Sequence, residues 1–201
     1  AVTLAAGGVI NYTIRVNDTT NNFRTNDTII TVTTSSSDLT GCGNLDVQGS
    51  KYTLLNDVAS AGTCFYVLAN NVTLDCKGFK INYSQSVVGY GVNITTKNFT
   101  TVRSCNIVQA DIGSDTTNSH GVYATRSKNN TVFNNSITPL GTASHGIYLI
   151  TTYNNSGYSN IIKISADSSS GVRVNGNGYD NYVYSNNIIT TGDTAGIFIS
   201  S

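Results

Sequence analysis

A glycine followed by an aliphatic residue returns at a near-constant interval through the second half of this 201-residue chain. The copies begin at Gly91, Gly121, Gly146, Gly171 and Gly196, and a second short apolar motif follows each of the first four. Two short apolar strands in about 25 residues cannot bury a hydrophobic face alone, whereas stacked copies can. The period therefore predicts a solenoid.

Within each copy, apolar residues alternate with polar ones, as in Ile147 and Leu149 or Val172 and Val174. Alternation is the spacing of β-strands, and no segment has the 3.6-residue period of an amphipathic helix. Asn, Ser and Thr together supply 76 of the 201 residues, Glu is absent and Pro occurs once. We predict an all-β protein dominated by a right-handed parallel β-helix, the handedness following from the chirality of parallel crossovers.

The first residues do not follow the repeat. Residues 1–34 contain alternating residues from Tyr12 to Val16, a polar stretch over 17–26, and alternation again at Ile30 and Val32. This pattern predicts a β-hairpin with a long loop, similar to the last strands of an immunoglobulin-like module. An isolated hairpin is marginally stable, so we expect missing partner strands or donation of this hairpin to a neighbouring subunit's sheet.

The rest of the chain divides into two predicted parts. Residues 35–63 are expected to be a linker and N-terminal cap, and residues 64–201 to be coils of about 25 residues each. The last copy begins at Gly196 and stops within six residues. Because a solenoid end needs a cap, we expect the chain to continue or to be covered by something else.

Alignment of the coils assigns the four cysteines to columns, meaning sets of residues at equivalent positions in successive coils. Cys105 falls in a column that later coils fill with asparagine, and Cys76 falls at or beside it. Cys64 falls in the glycine column, which leaves Cys42 as its partner. Residues stacked about 5 Å apart lie within disulfide range, which favours Cys42–Cys64 and Cys76–Cys105 among the three possible pairings. Two disulfides would imply an oxidising, extracytoplasmic setting, and the spacing argues against a metal site.

Asparagine has two predicted roles. Asn135, Asn160 and Asn186 share the column of Cys105, where we expect an inward ladder of amide hydrogen bonds. Candidate glycosylation sites of the form Asn-x-Ser/Thr are more numerous than chance, though turn-forming asparagine with nothing attached is an equally good interpretation. Ten such sites occur, at Asn11, Asn17, Asn26, Asn71, Asn82, Asn93, Asn98, Asn129, Asn134 and Asn154.

Residues 40–201 resemble the parallel β-helix repeat family that includes the NosD-like modules. The segments that carry the resemblance are Cys42–Leu45, Tyr52–Asp57, Gly62–Phe65, Asn71–Ile81, Tyr90–Val92 and Val102–Ile107. The resemblance implies the β-helix fold and a place in large cell-surface proteins of archaea and some bacteria. It implies no activity, because this fold hosts many functions and no catalytic motif of the family matches.

Candidate chemistry is sparse. His120 and His145 each precede a repeat glycine and should stack in adjacent coils, and Asp111 and Asp115 lie in the longest insertion beside them. These four residues could form a small metal or acid–base site. A stacking ladder next to a solvated loop is the favoured interpretation. No pair of facing carboxylates suited to glycoside cleavage emerges, so we predict neither a catalytic constellation nor a cofactor.

Aromatic residues occupy one outward column. Tyr123 and Tyr148 hold the same strand position in successive coils, followed by Arg173 and Phe198. Such a stripe can stack on sugar rings or on another subunit. Ordinary cross-strand pairing is the favoured interpretation.

A zero net charge provides no electrostatic footprint for nucleic acid, and no apolar run approaches the roughly 20 residues of a membrane span. We expect an extracellular structural or adhesive protein of archaeal origin that belongs to a surface filament or layer. Its expected partners are copies of itself, with surface carbohydrate as a second class. The alternatives are a polysaccharide-processing β-helix enzyme whose active face lies elsewhere, and a carbohydrate-binding module like those of phage tailspikes.

Overall fold

The computed structural model describes residues 14–17, 23–26, 36–110, 117–191 and 193–200. The chain divides into two compact units, Ala1–Ser36 and Ser37–Ser201. Within the described part of the chain, no helix is long and apolar enough to cross a membrane.

In the first unit, β1 (Ile14–Asn17) pairs antiparallel with β2 (Phe23–Asn26). The second strand therefore lies inside the stretch 17–26 that the sequence predicted to be a loop. Phe23 and Thr25 favour extended backbone, which accounts for the second strand. Ile30 and Val32 lie outside the described residues, and the immunoglobulin-like character of this unit stays a prediction.

Strands β3 to β22 form three parallel sheets. Sheet 1 contains β4 (Gly43–Leu45), β7 (Phe65–Val67), β10 (Val92–Thr95), β13 (Val122–Thr125), β16 (Ile147–Ile150), β19 (Ser170–Asn175) and β22 (Ala195–Ser200). Sheet 2 contains β3 (Ser36–Leu39), β5 (Lys51–Leu54), β8 (Thr73–Asp75), β11 (Thr101–Arg103), β14 (Thr131–Phe133), β17 (Ser156–Tyr158) and β20 (Tyr182–Tyr184). Sheet 3 contains β6 (Val58–Ala59), β9 (Lys80–Tyr83), β12 (Asn106–Gln109), β15 (Ser136–Thr138), β18 (Ile161–Ile164) and β21 (Asn187–Thr190).

This arrangement confirms the predicted all-β parallel solenoid, with one difference in the number of strands. Each full coil has three strands, whereas the sequence predicted two. The second apolar motif of each copy spans two strands, because a residue with positive φ turns the chain between sheets 2 and 3. That residue is Ser104, Asn134, Ser159 or Ser185, with φ between 53° and 55°.

The solenoid also begins earlier than predicted. Residues 35–63 were expected to be a linker and cap, but they contain β3 to β6, and β4, β5 and β6 each pair in parallel with the next coil. The periodic signal is hidden here because cysteine, at Cys42 and Cys64, replaces the repeat glycine. The register also advances by 22 residues, from Gly43 to Phe65, and not by 25.

The repeat glycines are required by close packing. A Cβ atom at Gly121 would collide with Cγ2 of Ile137 and lie 2.7 Å from the carbonyl oxygen of Gly146 in the next coil. Ile137 is fully buried, like most inward residues of the three sheets. The glycine column therefore allows sheet 1 to approach the isoleucines of sheet 3 across a narrow core.

Candidate functional site

The predicted asparagine column forms a continuous ladder inside the solenoid. Asn135 Nδ2 donates to Asn160 Oδ1 at 3.0 Å, and Asn160 Nδ2 donates to Asn186 Oδ1 at 2.9 Å. The backbone N–H of each lower residue donates to the same oxygens. Asn135 and Asn160 are buried, so these amides satisfy backbone groups of the turn and are not available to a ligand.

A second ladder, which the alignment of the coils did not predict, lies at the turn between sheets 1 and 2. The backbone N–H of Asn130 donates to Asn155 Oδ1 at 2.8 Å, and Asn155 Nδ2 donates to Asn181 Oδ1 at 3.0 Å. The signal was present in the pairs Asn129-Asn130 and Asn154-Asn155. In each pair the first asparagine adopts positive φ, and the second points inward.

Disulfides join Cys42 to Cys64 and Cys76 to Cys105, each with a Cα–Cα distance of 4.7 Å. These are the pairs that the column alignment favours. The backbone N–H of Cys105 also donates to Asn135 Oδ1 at 2.9 Å, so the second disulfide lies at the first rung of the asparagine ladder. Two disulfides indicate an oxidising environment.

The turn geometry explains several glycosylation motifs. Asn71, Asn129, Asn134 and Asn154 all have φ between 55° and 57°, a conformation that asparagine tolerates better than most residues. A Ser or Thr then begins or precedes the next strand, which completes the motif. Fold requirements therefore produce these four motifs whether or not a glycan is attached, and their occupancy stays a prediction.

The remaining motifs differ in surroundings. The amide oxygens of Asn93 and Asn98 accept hydrogen bonds from Thr95 and from the backbone of Lys128. Asn82 Oδ1 is buried without a partner among the described residues. Asn17 and Asn26 lie in β1 and β2, where only the backbone is described, and Asn11 lies outside the described residues.

The structure brings His120 and His145 together, stacked with ring centroids 5.0 Å apart, and Tyr90 stacks on the other side of His120 at 5.5 Å. Asp111 and Asp115 lie outside the described residues, so the proposed four-residue site stays a prediction. Among the described residues, no group of three or more His, Cys, Asp or Glu side chains is placed to hold a metal ion.

Backbone hydrogen bonds determine the protonation of both rings. The N–H of His145 donates to His120 Nδ1 at 3.1 Å, and the N–H of Ser170 donates to His145 Nδ1 at 3.0 Å. Burial, and to a smaller extent His145 and the charge of Arg173, lower the pKa of His120 to about 3. Burial and the charge of Arg173 lower the pKa of His145 to about 4. Both rings are therefore neutral at pH 7 and carry their single proton on Nε2.

The outward aromatic column has the predicted register, Tyr123 beside Tyr148, Tyr148 beside Arg173, and Arg173 beside Phe198. The rings of Tyr123 and Tyr148 meet edge to face at 5.9 Å, which is an ordinary cross-strand contact. The Arg173 guanidinium lies 5.5 Å from the Tyr148 ring centroid and 4.9 Å from that of Phe198. Its Nη1 also approaches His145 Nε2 to 3.3 Å, a contact that sequence reasoning did not anticipate.

One carboxylate is embedded in sheet 2. Asp75 Oδ2 lies 2.6 Å from Arg103 Nη2 and 3.1 Å from Lys51 Nζ. Burial alone would raise the pKa of Asp75, but hydrogen bonds from Lys51 and the backbone of Lys77, with the charges of Arg103 and Lys51, lower it. Asp75 is therefore a structural counter-ion and not a general acid, because it remains ionised at neutral pH.

No family model matches this chain, and no curated protein matches it. The NosD-like resemblance therefore stays a prediction. Among solved structures, the chain is similar to the enzymatically active domain of tailspike protein 2 from bacteriophage CBA120. The two are 12% identical with a TM-score of 0.34, and the alignment covers 81% of this chain and 26% of the tailspike chain. At that identity and score, the likeness carries no functional information.

Proposed function

We propose that this protein is an extracellular structural or adhesive module, a stapled solenoid that assembles with copies of itself in a surface filament or layer. The supporting observation is that buried polar side chains form hydrogen bonds between neighbouring coils. In the later coils, buried Asn, Ser and His side chains link successive coils through hydrogen bonds at all three turns between the sheets. Such groups rigidify the stack, since a fully satisfied polar network specifies one arrangement.

The covalent links support the same function. Disulfides persist in oxidising compartments, and in a secreted structural module they hold neighbouring coils together covalently. Here both disulfides join successive coils of the solenoid, so they resist separation of coils along the stacking direction. Location on a cell surface, and assembly through donation of the β1–β2 hairpin, belong to the proposal.

Electron microscopy and light scattering of the intact protein, over a range of concentrations without reductant, test this function. We expect ordered self-association, with fibres or sheets whose repeat matches the length of the solenoid. A matched sample lacking residues 1–34 should keep the solenoid's β-sheet circular dichroism but lose the ordered contacts. Isolated monomers under all conditions would contradict assembly and direct attention to polysaccharide cleavage assays.

Carbohydrate binding is a second candidate function. It is favoured by the Arg173 guanidinium, whose Nε has no hydrogen-bond partner among the described residues. Aromatic rings, a guanidinium and hydroxyls meet at that place on sheet 1, and these are groups that bind sugars.

A further inference from the structure

We propose that the outer edge of the turns between sheets 1 and 2 binds an acidic polysaccharide, with Phe99 as a stacking platform and lysine and arginine side chains that pair with its carboxylates. We call this surface the Phe99 patch. It belongs to three successive turns, those between β10 and β11, between β13 and β14, and between β16 and β17. Its residues are Lys97, Phe99, Arg126, Lys128 and Tyr153.

Phe99 occupies a backbone position that the other coils give to smaller polar residues. Its φ is 59°, and the strand pairing makes it equivalent to residues with φ between 53° and 57°. These residues are Asn71, Asn129, Asn154 and Asp180. Asparagine and aspartate tolerate this left-handed conformation, whereas a bulky residue there is an outlier. The Phe99 ring is also 53% exposed, so packing in the core does not offset the strain. An exposed ring held at a strained position indicates a binding role.

Three cationic side chains surround Phe99 without acidic partners. Lys97 lies two residues before Phe99 in the same turn, and the carbonyl of Lys128 in the next coil accepts the N–H of Phe99 at 3.2 Å. Arg126 is exposed in the same turn as Lys128. Both ion pairs found in the described residues belong to Asp75 on sheet 2, and neither includes these three cations. The patch therefore presents positive charge to an anionic ligand and loses no ion pair when the ligand binds.

Contacts between coils hold these turns in one conformation. Asn98 Oδ1 accepts the N–H of Lys128 at 2.9 Å, and the carbonyl of Lys97 accepts from Asn130 Nδ2 at 3.1 Å. The Lys128 ammonium lies 5.6 Å from the centroid of the Tyr153 ring. The backbone that carries the patch is therefore ordered before a ligand binds, which lowers the entropic cost of binding.

The hydrogen bonding of these turns favours a polysaccharide over an acidic peptide as the ligand. An extended peptide binds the edge of a sheet through backbone hydrogen bonds. Here the backbone N–H groups of Phe99, Lys128 and Asn129 already donate to neighbouring coils. A polysaccharide instead needs an apolar ring face, amides for its hydroxyls and cations for its carboxylates. Asn71, equivalent to Phe99 in the preceding coil, is exposed and supplies such an amide.

This inference goes beyond the structural function and develops the second candidate, carbohydrate binding, on which it rests, at a site other than Arg173. Light scattering of the same variants separates it from assembly. Variants of the Phe99 patch should assemble like the parent protein while losing affinity for the polysaccharide. Assembly without polysaccharide binding would overturn the patch and keep the structural function, and binding without assembly would do the reverse.

Calorimetry of the full chain with an oligogalacturonate, its uncharged methyl ester and an oligo-aspartate peptide tests the proposal. We expect the oligogalacturonate to bind at least about tenfold more tightly than the other two probes, and its affinity to fall as salt is raised. These comparisons use the parent protein alone and do not depend on the folding of a variant.

Variants then locate the site. Phe99→Gly should weaken oligogalacturonate binding by about five- to tenfold through the lost ring, and it should melt no lower than the parent protein because glycine adopts positive φ without strain. Lys97→Gln and Arg126→Gln should each weaken binding by about two- to threefold. The control is Lys163→Gln, an exposed change in β18 of sheet 3, which should leave affinity unchanged.

Four outcomes would overturn the proposal. The first is no binding of the oligogalacturonate up to about 10 mM, and the second is equal affinity in Phe99→Gly and the parent protein. The third is equal binding of the methyl ester, which would overturn the acidic class, or tighter binding of oligo-aspartate, which would assign the patch to an acidic protein. The fourth is binding that Arg173→Gln abolishes and Phe99→Gly retains, which would place carbohydrate binding on sheet 1.

Discussion

The opening and later coils join successive turns by different means at equivalent positions. In the opening coils, disulfides link Cys42 to Cys64 and Cys76 to Cys105. In the later coils, the column of Cys105 continues with amide hydrogen bonds between Asn135, Asn160 and Asn186. The stacking distance of about 4.8 Å suits both a disulfide and an amide ladder, so one backbone geometry accepts covalent and noncovalent rungs. The disulfide links persist only under oxidising conditions. The amide links persist only while the buried polar groups keep their hydrogen bonds.

Removal of the second disulfide should have the largest effect on stability. Cys76→Ala combined with Cys105→Ala should lower the free energy of unfolding by about 3–4 kcal/mol, because the unfolded chain loses a crosslink spanning 29 residues. Denaturant unfolding under non-reducing conditions measures the difference. Combining Cys76→Ala with Cys105→Asn sharpens the comparison, since the new amide can bond to Asn135 Oδ1. Equal destabilisation by both double variants would show that the two kinds of rung are not interchangeable.

Acid should destabilise the later coils before the opening coils. His120 and His145 have pKa values lowered by burial, so between about pH 6.5 and 4 the unfolded chain binds protons that the folded chain does not. Stability therefore falls as the pH falls through this window, by about 2–3 kcal/mol between pH 7 and 5.5 for the two histidines together. Asp75, whose pKa is lowered, loses its contribution only below about pH 4, outside this window.

Unfolding at pH 7 and 5.5, with hydrogen exchange to locate the change, measures this loss. A variant with His120→Asn and His145→Asn keeps an acceptor for each backbone N–H and should show a flat profile between these pH values. A profile as steep as that of the parent protein would assign the acid sensitivity to other groups.

Substitution of a repeat glycine should be costly only where the next coil is packed against it. Gly121→Ala should destabilise the protein by about 1–3 kcal/mol, because the added Cβ collides with Ile137 and the Gly146 carbonyl. Gly196→Ala is the matched control, since a Cβ there meets no described atom within 4 Å. Thermal melts of both variants measure the difference. Similar melting temperatures would contradict the close approach of sheets 1 and 3.

Truncation of one ladder rung should have the smallest effect. Asn160→Ala removes the acceptor for Asn135 and leaves buried donors unpaired, at a cost of about 1–2 kcal/mol. Asn187→Ala, an exposed change on β21, should alter stability by less than about 0.5 kcal/mol. Denaturant midpoints compare the two. A neutral Asn160→Ala would mean that water replaces the rung and that the ladder adds little stability.

Contacts along the stacking direction were predictable, since they follow from alignment of equivalent residues in successive coils. The Asn135 ladder, the Tyr123–Tyr148 contact and the His120–His145 stack are all of this kind. In a parallel stack, equal position in the repeat places residues one strand spacing apart. No long-range folding information is needed beyond the period itself.

Contacts around the coil were not predictable in the same way. Ser104, Asn134 and their equivalents turn the chain by adopting positive φ. Serine has no particular preference for that conformation, so the sequence does not indicate the turn. Two strands therefore share one apparent motif in the sequence, and the solenoid begins one coil earlier than the period indicates. The approach of Arg173 to His145 depends on how the turn and the strand of sheet 1 converge, which periodicity does not encode.

The sequence by itself determined the parallel solenoid, its columns and the chemistry of each column, because a 25-residue period and alternating apolar residues have few ways to bury their surface. Only the tertiary structure decided the three-sided cross-section and the tautomer of His145. It also decided the contact between Arg173 and His145. Those features arise from backbone turns and from hydrogen bonds between different columns, and their geometry exists only once the coils are closed.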